Sequence, residues 1–247
     1  MISHLKARYF HELGNSIPLG NGYWAQLLEN DSYDSFSEIF IQQEYLKFIP
    51  NGKISKVLDI GAHYGFFSLW MQATYPKQKI HSLMIEPAES CVRSLTRMTN
   101  EPFLEGRFNF FSRAIGKLDS ETVCFFNRSH MAGSCFNLTT SDSEQSVQVL
   151  KESEVVDLLP PPYDLIKCDI EGSEWEFLHC YQNLIKSSKF LILEWHSWHN
   201  GGGGFEQLID TLNSRKFKIL KSSTPMNAVG KKGKVGLILA ENSEFNA

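Results

Sequence analysis

The sequence contains no run of eighteen consecutive apolar residues, so nothing in it reads as a membrane-spanning helix. Its first residues, MISHLKARYFHELG, interrupt their apolar positions with His, Lys, Arg and Glu and lack the unbroken apolar stretch of a secretory leader. No Lys/Arg run reaches the length of a nucleic-acid or anionic-membrane patch, and with a formal net charge of -4 neither partner is expected. Cysteine is sparse: Cys91, Cys124, Cys135, Cys168 and Cys180 are odd in number, form no C-x-x-C pair and mostly sit in apolar stretches. That usage predicts reduced thiols in a cytoplasmic protein and not a disulfide framework. No repeat period is visible, and only Gly201 to Gly204 is low in complexity. The dinucleotide fingerprint G-x-G-x-x-G is missing too, which counts against hydride-transfer chemistry.

What is present suits one sizeable core, with 247 residues of which 42% are hydrophobic and 21% charged. Residues 1–50 are aromatic-rich and broken by turn signals (GNSIPLGNG), and SEIFIQQEYLKFI then predicts an amphipathic helix ended by Pro50-Asn51-Gly52. This reads as a short N-terminal cap, with the main domain over 51–247. From Lys56 onward strand-like and helix-like segments alternate, the pattern of an α/β fold with a mostly parallel sheet and helices on both faces. Strands are expected at 56–60, 79–87, 107–115, 163–170, 189–196, 217–223 and 234–241, with helices over 66–75, 88–98, 172–185 and 205–216. ETVCFFN (121–127) reads as an added edge strand or hairpin arm, 128–153 as a polar surface excursion, and Lys232-Gly233 as the turn side of a closing hairpin.

Four stretches carry chemistry. In VLDIGAHYGFFSL (57–69) a buried strand ends at Asp59-Ile60, Gly61 and Gly65 make a tight loop, and a helix begins almost at once. Such a loop lets backbone approach a ligand, and the helix start favours an anionic group, as in nucleotide sites. Glu86 follows at the end of the next strand, where an acid can accept hydrogen bonds from both hydroxyls of a ribose. DLIKCDIEGSEWEFL (164–178) puts Asp169 and Glu171 at the same rim, where carboxylates can attract a cation, take a proton from a hydroxyl or hold a metal. Glu174 and Glu176 read as structural charges in the first turn of the following helix. In ILEWHSWHN (192–200), Glu194 and His196 crowd the rim, His196 as a general base. Asp169, Glu194 and His196 could also ligate a divalent ion. His199 is expected to be solvent-exposed, Cys168 to be core, and the glycine run to be a lid or a plain turn.

Taken in order, VLDIGAHYGFFSL, IEP, SRAIG, DLIKCDIEGSEWEFL and LILEWH resemble the FkbM-type methyltransferases, a branch of the S-adenosylmethionine-dependent class I enzymes. The likeness covers roughly residues 38–200, and DIEGSE is its most distinctive piece. It implies a Rossmann-like seven-stranded sheet whose last strand is antiparallel. It implies S-adenosylmethionine held by Asp59, Gly61, Ala62, Gly65 and Phe66 in the loop and helix start, by Glu86 at the ribose, and by Ser112, Arg113 and Ala114 beside adenine. The second signature corresponds to Asp169, Glu171 and Gly172, and His63 stands where the family commonly has Asn. The expected reaction is methylation of a hydroxyl on a small or medium-sized metabolite, with Asp169, Glu171 and His196 activating the acceptor. Two alternatives stay open: methylation of nitrogen or of a carboxylate on a peptide or small molecule, and a nucleotide-binding protein without catalysis.

Overall fold

The computed structural model describes residues 16–29, 31–127, 133–135, 143–198, 203–228 and 233–245. His199, Gly201, Gly202 and Lys232 lie outside them.

Asn21-Gly22, both at positive φ, turn β1 (Ser16–Gly20) back on β2 (Tyr23–Gln26) as an antiparallel hairpin. Next comes α1 (Ser32–Phe36), which widens into a π turn over Ser37–Ile41. The amphipathic helix expected over 37–49 stops there, because Gln43 takes a left-handed φ of 54° and redirects the chain. The turn leaves Gln42 and Gln43 in solvent while Tyr45 and Phe48 go into the core.

The main domain continues with β3 (Lys56–Ile60), α2 (Phe66–Thr74), β4 (His81–Ile85), α3 (Glu89–Thr99) and β5 (Phe108–Phe111). A hairpin of β6 (Thr122–Asn127) and β7 (Ser143–Gln148) leads to α4 (Glu152–Leu158), β8 (Tyr163–Cys168), α5 (Glu174–Cys180), α6 (Gln182–Lys186) and β9 (Ser188–His196). The chain ends with α7 (Phe205–Ser214), β10 (Phe217–Ser222), the two-residue β11 (Met226–Asn227) and β12 (Lys234–Asn242). The sheet order is β5-β4-β3-β8-β9-β12-β10, with β11 attached to β12. Pairings among β5, β4, β3, β8 and β9 are parallel, and β12 is antiparallel to both neighbours. This is the mostly parallel α/β sheet that the residue pattern predicts, with the reversed last strand that the family resemblance implies.

Strand alternation divides the core into two faces. Val57, Met84, Leu165 and Ile192 pack under α2, α3 and the N-terminal segment, whereas Leu58, Leu83, Ile166 and Leu193 pack under α5, α6 and α7. The segment 128–153 is not simply an excursion: its alternating SEQSVQ pairs with β6 and buries Val147, and α4 begins at Glu152. The helix expected over 172–185 divides at Tyr181, whose buried hydroxyl donates to Leu150 O at 2.9 Å. No helix among the described residues is long and apolar enough to cross a membrane.

Candidate active site

The carboxyl ends of β3, β4, β8 and β9 open into a cavity of about 490 Å³, the position at which open α/β sheets bind ligands. Its floor is a lacing of strand ends. Gly61 and Ala62 N–H donate to Ile85 O at 2.9 and 3.1 Å, and Asp169 N–H donates to Ile60 O at 3.0 Å. Gly61 has φ 75°, and a Cβ there would lie 1.7 Å from Asp169 O. The missing side chain is therefore demanded by the neighbouring strand end, whatever the loop binds.

At one end of the cavity Glu86, 6% exposed, accepts His63 N–H at 2.7 Å and Ala88 N–H at 2.8 Å. Burial pushes its pKa up to about 7, against the pull of those two donors. His63 holds a left-handed φ of 51°, a conformation His and Asn tolerate better than most residues, and burial keeps its imidazole neutral. Ala114 and Arg113 line the adjoining wall, with Arg113 paired to Glu154 at 3.2 Å and lying over the Phe111 ring.

At the other end, alternation sets Asp59, Lys167, Asp169, Glu194 and His196 on one side of the sheet. Lys167 Nζ donates to Gly61 O at 2.7 Å and lies 3.6 Å from Asp59 and 3.4 Å from Asp169. Burial disfavours its charge, but Asp169 and Asp59 outweigh that and raise its pKa. Burial likewise presses Asp169 upward, yet Lys167 and His196 hold it below the usual carboxylate range. Tyr45 reaches in from the N-terminal segment, its hydroxyl 3.1 Å from Asp169 Oδ2 and 2.9 Å from Glu194 Oε2. Burial, then Asp169, raise the Glu194 pKa well above normal. His196 Nδ1–H donates to the fully buried Glu174 at 2.8 Å. Burial opposes charge on this imidazole, but Glu174 and Glu171 override it and lift its pKa to about 10. Glu171, at φ 51°, accepts Trp198 Nε1–H at 3.2 Å on the cavity wall.

The structure thus brings Gly61, Ala62, Glu86, Ala114, Asp169, Glu171, Glu194 and His196 to one cavity. It does not bring Asp59, Gly65, Phe66 or Ser112 to the wall. Asp59 is buried beneath the loop against Ser68 Oγ at 2.7 Å. Gly65 packs on Met84 and Met98, Phe66 packs edge-on against Phe36 and Phe40, and Ser112 presents its carbonyl to Arg113. The acids around His196 raise its pKa, the direction that favours an imidazolium over the free base expected from the sequence. Glu174, read from sequence as a helix-end charge, is the partner that orients His196. Lys167 and Tyr45 were missed. Lys167 had a signal, being a lone cation in a buried strand two residues before Asp169 and hence on the same face. Tyr45 lies within the 38–200 likeness, but nothing local points it at Asp169, which it meets across 124 residues.

The sequence profile described as "Methyltransferase FkbM domain" matches residues 59–219. Among solved structures, the chain is similar to the FkbM methyltransferase of Methylobacillus flagellatus KT, at 17% identity over 84% of this chain and 50% of that one, with a TM-score of 0.51. It therefore spans about half the length of that relative. It is also similar to a chain of a fibrillarin/Nop5p complex, at 12% identity over 81% of this chain and 78% of that one, TM-score 0.51. A third likeness is to magnesium protoporphyrin IX methyltransferase of Synechocystis PCC 6803, at 12% identity over 87% and 81%, TM-score 0.47. No curated protein sequence matches the chain.

Proposed function

The chain belongs to the FkbM methyltransferase family and is a methyltransferase, and from that premise we propose that it methylates a hydroxyl of a small or medium-sized metabolite, such as a sugar, polyketide or peptide product, with S-adenosylmethionine as donor. The observation that carries this reading is the cavity itself, which joins Glu86 and the glycine loop at one end to an acid and imidazole cluster at the other.

The residues present fit the donor. A cavity of about 490 Å³ lies within the range of cofactor-sized pockets. Each Glu86 oxygen accepts one backbone N–H and keeps a lone pair, so two ribose hydroxyls can still be accepted. Gly61 and Ala62 form the floor beside it, with Arg113 and Ala114 on the adenine side. When bound, S-adenosylmethionine supplies an electrophilic methyl on a sulfonium whose positive charge is lost as the methyl leaves.

The chain's own part is alignment, exclusion of water and handling of the acceptor proton. A free hydroxyl is a poor nucleophile near neutral pH and needs a base. Asp169, ionised beside Lys167, orients the hydroxyl. Glu194, 2.9 Å from the Tyr45 hydroxyl and 3.7 Å from His196 Nε2, is the carboxylate that receives the proton. His196 stabilises the negative charge between them, Glu171 closes the wall with Trp198, and Asp169, Glu194 and His196 are also where a divalent ion would be held. The free cysteines support a cytoplasmic setting.

Calorimetry with S-adenosylhomocysteine and with NAD, followed by a hydroxyl-acceptor screen read as methyl transfer, tests the proposal. Binding of the former alone, with turnover lost in Glu194→Gln, is expected. Binding of NAD, or turnover only on amines, would overturn it.

A further inference from the structure

Three side chains converge at the acceptor end of the cavity. Asp169 Oδ1 and Glu194 Oε1 lie 3.8 and 3.7 Å from His196 Nε2, too far for hydrogen bonds, and the three residues offer ligand atoms within 4.8 Å of one another. The outward atoms of all three are already committed. The Tyr45 hydroxyl, with one proton to share, sits between Asp169 Oδ2 and Glu194 Oε2, Lys167 flanks Asp169 Oδ2, and Glu174 takes the Nδ1–H of His196. The inward atoms are left facing a common point, and His196, only 2% exposed, aims Nε2 at it, within ion-pair reach of both carboxylates.

Building on the methyltransferase reading, we propose that this point is a divalent-cation site ligated by Asp169, Glu194 and His196. Two carboxylate oxygens and one imidazole suit ions such as Mn²⁺. Bonds of about 2.0–2.2 Å place neighbouring ligands roughly 3.0–3.5 Å apart, so each carboxylate need move only a few tenths of an ångström towards His196 Nε2, and the two carboxylates, within 4.8 Å of each other, close by no more than about 1.8 Å. A carboxylate on the far ring nitrogen is the usual companion of a ligating histidine, and Glu174 is that positioning residue. Ligation takes the place of the Nε2 proton. Three protein ligands leave positions open, where the acceptor hydroxyl can bind and be acidified. Asp169 and Glu194 side chains are 25% and 13% exposed, which leaves the point accessible from the cavity.

The test is titration of the chelator-stripped chain with Mn²⁺ alone, the free ion being followed by electron paramagnetic resonance. The same samples are titrated calorimetrically with S-adenosylhomocysteine. Saturable uptake of one ion per chain is expected, abolished in Glu194→Gln and His196→Asn and weakened roughly 10- to 100-fold in Glu174→Gln. The exposed Glu206→Gln control should leave uptake unchanged. Retained S-adenosylhomocysteine binding in Glu194→Gln shows that the variant is folded. No stoichiometric uptake by a chain that binds S-adenosylhomocysteine, or uptake that survives both ligand substitutions, overturns the site. Mn²⁺ uptake without S-adenosylhomocysteine binding upholds the site and sinks the methyltransferase reading instead.

Discussion

Glu86 sits where two demands on one carboxylate meet. It must serve the glycine loop through His63 and Ala88, and it must stay buried. Folded, it titrates near 7 against 4.5 for an unperturbed glutamate, so between those values the folded chain holds a proton that the unfolded chain lacks. Its contribution to stability is therefore complete below about 4.5 and is lost as the pH rises towards 7, amounting to roughly 3 kcal/mol over the window. Urea unfolding at pH 5 and at pH 7.5 should show a larger fall for the natural chain than for Glu86→Gln. The same substitution should weaken S-adenosylhomocysteine at least about tenfold, the order of one hydrogen bond to a charged group. Equal affinity would remove Glu86 from the cofactor's partners.

Among the elements, the loop between β3 and α2 assigns different work to its two glycines. Gly61 yields to the Asp169 carbonyl, while Gly65 lets α2 start close to Met84 and Met98. Gly65→Ala forces a side chain into a φ of 76°, at a cost of about 1–2 kcal/mol. Lower thermal stability with S-adenosylhomocysteine affinity little changed is expected, and selective loss of affinity would return Gly65 to the binding set. The sheet elements were legible because their residues alternate or run apolar between clear breakers. The β7 arm was not, because polar SEQSVQ hides a pattern that only Val147 anchors. The site was legible where charge ends a strand, as at Glu86, Asp169 and His196. It was illegible where partners come from afar, as with Tyr45. Glu174 is the first-turn structural acid expected, accepting the Ile170 and Gly172 N–H, but its contact with His196 across 22 residues was not legible.

For the molecule as a whole, the strand ends, the N-terminal segment and the β6–β7 hairpin all contribute walls to one cavity. A ligand seated there ties these parts together and stabilises only the folded chain. At a hundred times its dissociation constant, S-adenosylhomocysteine should add about 2.7 kcal/mol, which for a chain of this size raises the melting temperature by roughly 5–10 °C. A thermal scan with and without the compound checks this, and NAD at the same concentration should leave the curve where it was.

Tyr45 approaches the acids from outside residues 59–219, the span matched by the family's sequence profile. Grafting that span onto another scaffold would leave behind the phenol that ties two of its carboxylates together. A working chimera would need to carry the donor's own leading segment along with the graft.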